Sequence, residues 1–224
     1  MDPAWFEEVL YPLQDEVLAV AARIETGFYL TGGTALGRVH LRHRYSEDLA
    51  LFVNDDDRFQ TWADRLLEAW RAEAGFKLGV QRRDPRFVRA LVSKGEVQLK
   101  VEFVNDVRGR VGVPARDAGF GLVDTKENIL ANKITALLDR EEPKDLADVW
   151  GLCRRGGLAL NDALVGASSK AVGVFAADVA RVLLGATADD WRLVRWIPPP
   201  PPSEEFLRDL RALGEDLLLV RQRA

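Results

Sequence analysis

Hydrophobic and polar positions follow two periods along this chain, and the switches between them mark out its elements. Residues 4–25 carry Trp5, Val9, Leu10, Leu13, Val17, Leu18 and Ala21 at helical spacing, which predicts an amphipathic helix with a break near Pro12. Phe28-Tyr29-Leu30 predicts a short strand running into two glycines, and Thr34 to about Arg42 predicts a basic helix. Asp48–Val53 predicts a strand in which Leu49 and Leu51 point into the core, while Asp48 and position 50 project together from the other face. The acids at Asp55–Asp57 sit at a strand-to-helix turn, where capping a helix over about 57–73 suits them better than binding a metal. Phe76–Val80, Phe87–Ser93 and Val97–Asn105 predict three more strands, with turns at Asp84-Pro85 and Lys94-Gly95. In the last of these Val97, Leu99, Val101 and Phe103 share one face. Gln98, Lys100, Glu102 and Val104 share the other, which leaves Glu102 on a polar face in mid-strand.

The second half reads as helical. Asp124-Thr125-Lys126-Glu127 has the pattern of a capping box opening a helix to about Asp139. Lys126, Lys133 and Arg140 recur every seven residues and so fall nearly on one stripe, which in isolation would be a solvated face. Pro143 suits the first turn of the next helix, carrying Lys144, Asp145 and Asp148, with Leu146, Val149 and Trp150 facing inward. Residues 157–187, rich in Ala, Val and Leu, predict further helices. Pro198–Pro202 predicts a stiff extended spacer, after which Ser203 caps a final amphipathic helix with Phe206, Leu207, Leu210, Leu213, Leu217 and Leu218. The expected division is a core over 1–122, a helical domain over 123–197, the spacer over 198–202 and a C-terminal helix over 203–224.

Composition narrows the function classes only a little. With 224 residues and 47% hydrophobic content the chain can bury one large core, or a core with a small appendage. It has no apolar run of about 18 residues and no signal-peptide pattern at its acidic start, so neither a membrane span nor secretion is expected. Cys153 is the only cysteine, which rules out an intrachain disulfide and fits a reducing cytoplasm; its apolar surroundings predict a buried, inert thiol. A net charge of −4 argues against bulk nucleic-acid binding and leaves room for a local basic patch. Basic residues cluster at Arg38, Arg42 and Arg44 with His40 and His43, at Arg82, Arg83, Arg86 and Arg89, and at Arg108, Arg110 and Arg116. Any one cluster could be solvated surface; three of them favour a groove facing a polyanion. His40 and His43 have zinc-compatible spacing, but no cysteine accompanies them, so phosphate or RNA contact, or plain surface, fits better.

The chemistry concentrates between Leu30 and Phe52. A Gly-Gly-Thr turn, a basic helix and a strand opened by an acid bring backbone amides and a carboxylate to one end of a sheet, which suits nucleotide phosphates beside a metal ion. Gly32, Gly33, Thr34, Ala35 and Leu36, then Arg44, Ser46, Asp48, Leu49, Leu51 and Phe52, form one block. Lys126, Lys133, Arg140 and Lys144-Asp145-x-x-Asp148 form a second. In this order the blocks resemble the AbiEii/AbiGii-type nucleotidyltransferase toxins, a branch of the polymerase-β-like nucleotidyltransferase superfamily, over about residues 25–155.

The resemblance implies an α/β fold: a polymerase-β-like nucleotidyltransferase core, a mixed sheet with flanking helices, followed by a helical C-terminal region. It implies a cytoplasmic toxin of a toxin–antitoxin system with a role in phage defence, moving NMP from an NTP to RNA. The tRNA 3′ end is the leading acceptor, Mg²⁺ or Mn²⁺ the cofactor, and a cognate antitoxin the partner. Carried over residue by residue, Asp48, an acid at position 50 and Glu102 form the metal triad, and Gly32, Gly33 and Thr34 cradle the β- and γ-phosphates. Arg44 contacts phosphate or the RNA backbone, with Ser46 beside it on the nucleotide side. Lys126, Lys133 and Lys144 neutralise phosphate charge, with Asp145 in the same nucleotide-binding block. Asp148 orients a lysine or the acceptor. Glu102 is a mild departure, since the family more often has aspartate there.

Ala50 is the larger departure, because it puts a methyl group where the middle carboxylate belongs. Either the chain is a natural inactive relative kept for binding, or the carboxylate was lost recently or by design; the intact surroundings favour the second. The rival readings are a pseudo-nucleotidyltransferase that binds nucleotide, RNA or a partner without catalysis, and a nucleotidyltransferase acting on a small molecule such as an aminoglycoside or on a protein hydroxyl. The arginine clusters favour RNA.

Overall fold

The structure, a computed structural model, describes residues 2–220. The chain folds as two compact units. The first consists of the chain up to Ala35, Ser46–Arg108 and Val113–Asp124; the second of Leu36–Tyr45, Gly109–Gly112 and everything from Thr125 on.

The first unit is built on a seven-stranded mixed sheet in the order β3-β4-β5-β2-β1-β7-β6. Its strands are β1 (Tyr29–Thr31), β2 (Leu49–Asn54), β3 (Lys77–Asp84), β4 (Phe87–Lys94), β5 (Val97–Asp106), β6 (Ala115–Asp117) and β7 (Gly121–Val123). The alternation in the sequence decides which face is buried. Leu49, Leu51 and Val53 of β2, Val88, Ala90 and Val92 of β4, and Leu99, Val101 and Phe103 of β5 are all buried. The first unit's helices include Tyr11–Ala22 and Phe59–Ala72. Phe103 lies 5.1 Å from Phe28 and 5.6 Å from Trp70 between ring centroids, and Trp70 Nε1 donates to the Val17 carbonyl at 3.0 Å. Each such buried aromatic contributes about 1.5–3 kcal/mol.

The expected break near Pro12 is a widened turn. Tyr11 N–H bonds back to the Phe6 carbonyl across Phe6–Leu10, an i→i−5 step that accommodates a proline with no N–H of its own. The helix after β2 begins at Phe59, later than the acids predict: Asp56 takes the Arg58 N–H at 2.9 Å and Asp55 pairs with Arg86. The hairpin β6–β7 has no counterpart in the sequence reading, because three-residue strands are too short to display a period.

The second unit is helical: Lys126–Arg140, Pro143–Trp150, Leu160–Ser168, Ala176–Leu184, Ala188–Leu193 and Ser203–Val220. Thr125 caps the first of these by accepting from Asn128 N–H at 3.1 Å. Trp150, Trp196 and Phe206 stack edge-to-face with centroids 5.4–5.8 Å apart. The proline run is packed within this unit, since Trp191 Nε1 donates to the Pro201 carbonyl at 3.0 Å and Phe206 N–H to the Pro202 carbonyl at 3.0 Å. Residues 221–224 of the predicted final helix lie outside the described residues.

The division differs from the expected linear one in a single instructive way. Leu36–Tyr45, read from sequence as core, groups with the helices. Tyr45 N–H bonds to the Arg195 carbonyl at 2.8 Å and Ile197 N–H to the His43 carbonyl at 3.1 Å, so 43–45 runs as an extended segment beside 195–197. Gly37 makes the return possible, because a Cβ there would lie 2.5 Å from the Arg44 carbonyl oxygen.

Candidate active site

Asp48 immediately precedes β2, and the parallel register pairs Leu49 with Val101 and Ala50 with Glu102. Asp48, Ala50 and Glu102 therefore share the polar face of the first unit's sheet, with Thr31 beside Ala50 in β1. Their side chains are reachable: Asp48 is 39% exposed and Glu102 25%. Both carboxylates have cations of the chain against them. Lys100 Nζ lies 2.7 Å from Asp48 Oδ2 and 3.8 Å from Glu102 Oε1, and Arg89 NH2 lies 2.7 Å from that same Glu102 oxygen. Sequence reasoning placed Lys100 on this face without giving it a role, because a cross-strand ion pair depends on register.

The segment that delivers Asp48 is fastened from three sides within the first unit. Ser46 N–H donates to the Tyr11 hydroxyl at 3.3 Å, and buried Gln14 donates through Nε2 to the Ser46 and Glu47 carbonyls at 3.2 and 3.3 Å. The Thr34 hydroxyl, also buried, donates to the Asp48 carbonyl and lies 3.1 Å from Ser46 Oγ. Its proton ties the glycine turn to β2. Gly32 has φ +67°, a left-handed conformation that glycine adopts without strain. Gly32–Thr34 form the first turn of a helix whose N–H groups have no carbonyl partner of their own turn. Tyr11 and Gln14 were missed; the only signal was a glutamine among the apolar positions of a helix.

In the second unit the expected phosphate-binding residues form a buried ionic cluster. Arg44, 5% exposed, donates from Nε to Asp148 Oδ1 at 2.7 Å, from NH2 to Oδ2 at 2.6 Å, and from NH1 to the Tyr45 carbonyl at 2.9 Å. Lys133 Nζ bridges Asp145 Oδ1 at 2.7 Å and Asp148 Oδ2 at 2.6 Å, and Arg140 holds Asp145 through Nε at 2.8 Å. His43 Nε2 lies 2.9 Å from Asp148 Oδ1, its ring packed against Gly151. Burial opposes the charge on Asp148, but Arg44, Lys133 and His43 outweigh it and hold the carboxyl well below its ordinary value. Asp145 is likewise held low against its burial, by Lys133 and Arg140. Burial lowers the His43 pKa, which keeps the ring neutral and donating to Asp148.

Several expectations change as a result. Arg44 and His43 are not surface groups facing RNA, Asp145 is fully buried, and the Lys133 ammonium is committed to two aspartates, so the lysine–arginine stripe is not a solvated face. Lys126 is half-buried at the start of its helix, and exposed Lys144 pairs with Glu142 at 2.7 Å. The arginine cluster of β3 and β4 is compensated as well: Arg82 pairs with Asp84, Arg83 with Asp64, Arg86 with Asp55 and Arg89 with Glu102. A paired arginine attracts a polyanion far less than a bare one. Cys153 is buried, and burial pushes its thiol up to about 12, as expected of an inert cysteine.

The first unit's sheet thus sets an aspartate immediately before β2 beside a glycine turn, with a carboxylate on the neighbouring parallel strand. Over residues 17–216 the chain matches the nucleotidyl transferase AbiEii toxin family of type IV toxin–antitoxin systems. The chain belongs to this family. Solved structures agree in fold. JHP933 from Helicobacter pylori is 18% identical, with a TM-score of 0.65 over 100% of this chain and 96% of that one. MenT4, a nucleotidyltransferase toxin from Mycobacterium tuberculosis H37Rv, is 21% identical, with a TM-score of 0.63 over 94% and 83%. No curated protein matches the sequence.

The family implies an NTP substrate and a divalent metal, and the donor set can be weighed for it. Magnesium is commonly held by one or two carboxylates together with phosphate oxygens. Asp48 and Glu102, both within reach of one lysine nitrogen, fit a single such ion. Among the described residues no group of three His, Cys, Asp or Glu side chains is placed to hold a metal. Nor is any described helix long and apolar enough to cross a membrane.

Proposed function

We propose that this nucleotidyltransferase toxin is built to transfer NMP from an NTP to RNA, with the tRNA 3′ end as acceptor, and that Ala50 leaves it impaired. The observation that carries this reading is that Asp48 and Glu102 share one sheet face beside the Gly32–Thr34 turn, with the Ala50 methyl group directly across from Glu102. In the reaction an acceptor hydroxyl oxygen attacks the α-phosphorus and forms the new O–P bond, the bond to pyrophosphate breaks and pyrophosphate departs, and the hydroxyl proton passes to solvent. A magnesium ion on Asp48 and Glu102 would neutralise phosphate charge and sharpen the attacking oxygen. The backbone N–H groups of Gly32 and Gly33 receive phosphate oxygens. Thr34, Ser46, Tyr11 and Gln14 are positioning residues that fix Asp48 through its backbone. Asp148 is a positioning residue for Lys133 and Arg44. The family further implies an antitoxin that restrains the toxin in a cytoplasmic setting.

A second reading, a non-catalytic binder, draws support from the cations already seated on both carboxylates. The test compares the chain with its Ala50→Asp variant, each incubated with total tRNA, magnesium and each labelled NTP in turn. Label on tRNA only in the variant is the expected result. Label on neither overturns the tRNA assignment and favours the binder. Label on added protein or on an aminoglycoside in place of tRNA moves the acceptor to that class.

A further inference from the structure

The carboxylate pair of the first unit is neutralised by the chain itself. Lys100 stands between Asp48 and Glu102, at 2.7 and 3.8 Å, and Arg89 closes on Glu102 at 2.7 Å. Two acids thus meet two bases, and the formal charge of the quartet is zero. The placement is dictated by the strands. Lys100 lies two residues before Glu102 and so shares its face, and the pairing of Leu49 with Val101 sets it next to Asp48. These side chains are 25–39% exposed, so a diffusing cation reaches them. It arrives against an ammonium already in the gap, and like charges a few ångströms apart repel appreciably at a half-exposed site. Ala50 matters here because a third carboxylate would outnumber the two cations, and without it they balance the pair completely.

We propose that Lys100 is the resident cation of this site, occupying the gap between Asp48 and Glu102 and setting how tightly a divalent ion binds there. The inference rests on the functional reading above only in taking Asp48 and Glu102 as the metal carboxylates. It does not require that any nucleotide be transferred.

The test uses the full chain without nucleotide and follows Mn²⁺ binding by the loss of the free-ion paramagnetic resonance signal. Lys100→Met keeps the apolar stem and removes the charge. It is expected to tighten Mn²⁺ binding by about tenfold or more, the scale of one removed like charge at a half-exposed site. Ala50→Asp alone gives a smaller gain, because Lys100 still holds the gap, and the double variant binds tightest. Adding Asp48→Asn to Lys100→Met abolishes the gain. Lys100→Gln serves as a second variant should the methionine form fail to fold. Unchanged Mn²⁺ affinity in a folded Lys100 variant overturns the proposal, and so does a gain that survives loss of the Asp48 carboxylate. The two readings fail separately. Tighter Mn²⁺ binding with no tRNA label from Ala50→Asp removes the transfer reading alone, and tRNA label with unchanged Mn²⁺ affinity removes this one alone.

Discussion

Two groups of ion pairs in this protein use the same side chains for opposite ends. In the first unit Asp48, Glu102, Lys100 and Arg89 meet at a partly exposed sheet face, where water screens each pair and each partner can leave. In the second unit Asp148 and Asp145, each with no exposed side-chain surface, are locked by Arg44, Lys133, His43 and Arg140. Exposed pairs contribute little to stability, about 0–1 kcal/mol. A buried charge that loses its partner has nowhere to go, and breaking such a pair costs about 3–5 kcal/mol. The comparison teaches that charged residues of one family signature can differ in kind. Burial decides how much stability is lost when one of them loses its partner.

The largest effect that could break this contrast comes from Asp148→Ala, which strands Arg44 and Lys133 in the interior. We expect a loss of about 3–5 kcal/mol in urea unfolding; a loss under about 1 kcal/mol would mean that the cluster is not structural.

Acid should separate the regions next. The folded pKa of His43 lies below its unfolded value near 6.5, so the unfolded chain binds the extra proton and stability falls as pH drops below about 6.5. Asp148 follows the same sign at lower pH. Its folded pKa is depressed, so its contribution is present above the unfolded value of about 3.9 and is lost as pH falls below that. Melting temperature measured from pH 8 down to about pH 2 should decline in that order, and His43→Gln should remove the first decline. An unaltered profile in that variant would sink the His43 assignment.

The smallest effect sharpens the contrast from the other side. Asp48→Asn should change stability by less than about 1 kcal/mol in the same urea experiment. In the Ala50→Asp background it should also abolish any labelling of tRNA. A large loss of stability would place Asp48 with the structural residues.

Much of the site could be read from the chain because it depends on local rules. Alternation alone put Asp48, position 50 and Glu102 on polar strand faces, and the burial of Leu49, Leu51, Leu99, Val101 and Phe103 follows it. The glycine turn was legible for the same reason, since a left-handed residue such as Gly32 advertises itself. Lys133, Asp145 and Asp148 were recognisable as a block, yet their burial was not, because a helical stripe of charge looks the same on a surface as at a packed junction. Arg44 and His43 misled for a similar reason: their partner Asp148 lies about a hundred residues away in sequence.

The sequence by itself determined the periods, the turns and caps, the family signature and the methyl group at position 50, all of which are fixed by residues within a few positions of one another. Only the tertiary structure decided which charges meet. That Lys100 stands between Asp48 and Glu102, that Gln14 and Tyr11 hold the Ser46–Asp48 segment, and that 36–45 belongs with the helices all follow from register and packing. The physical reason is that an ion pair is set by distance and by exposure to water, and neither is encoded until distant segments have been brought together.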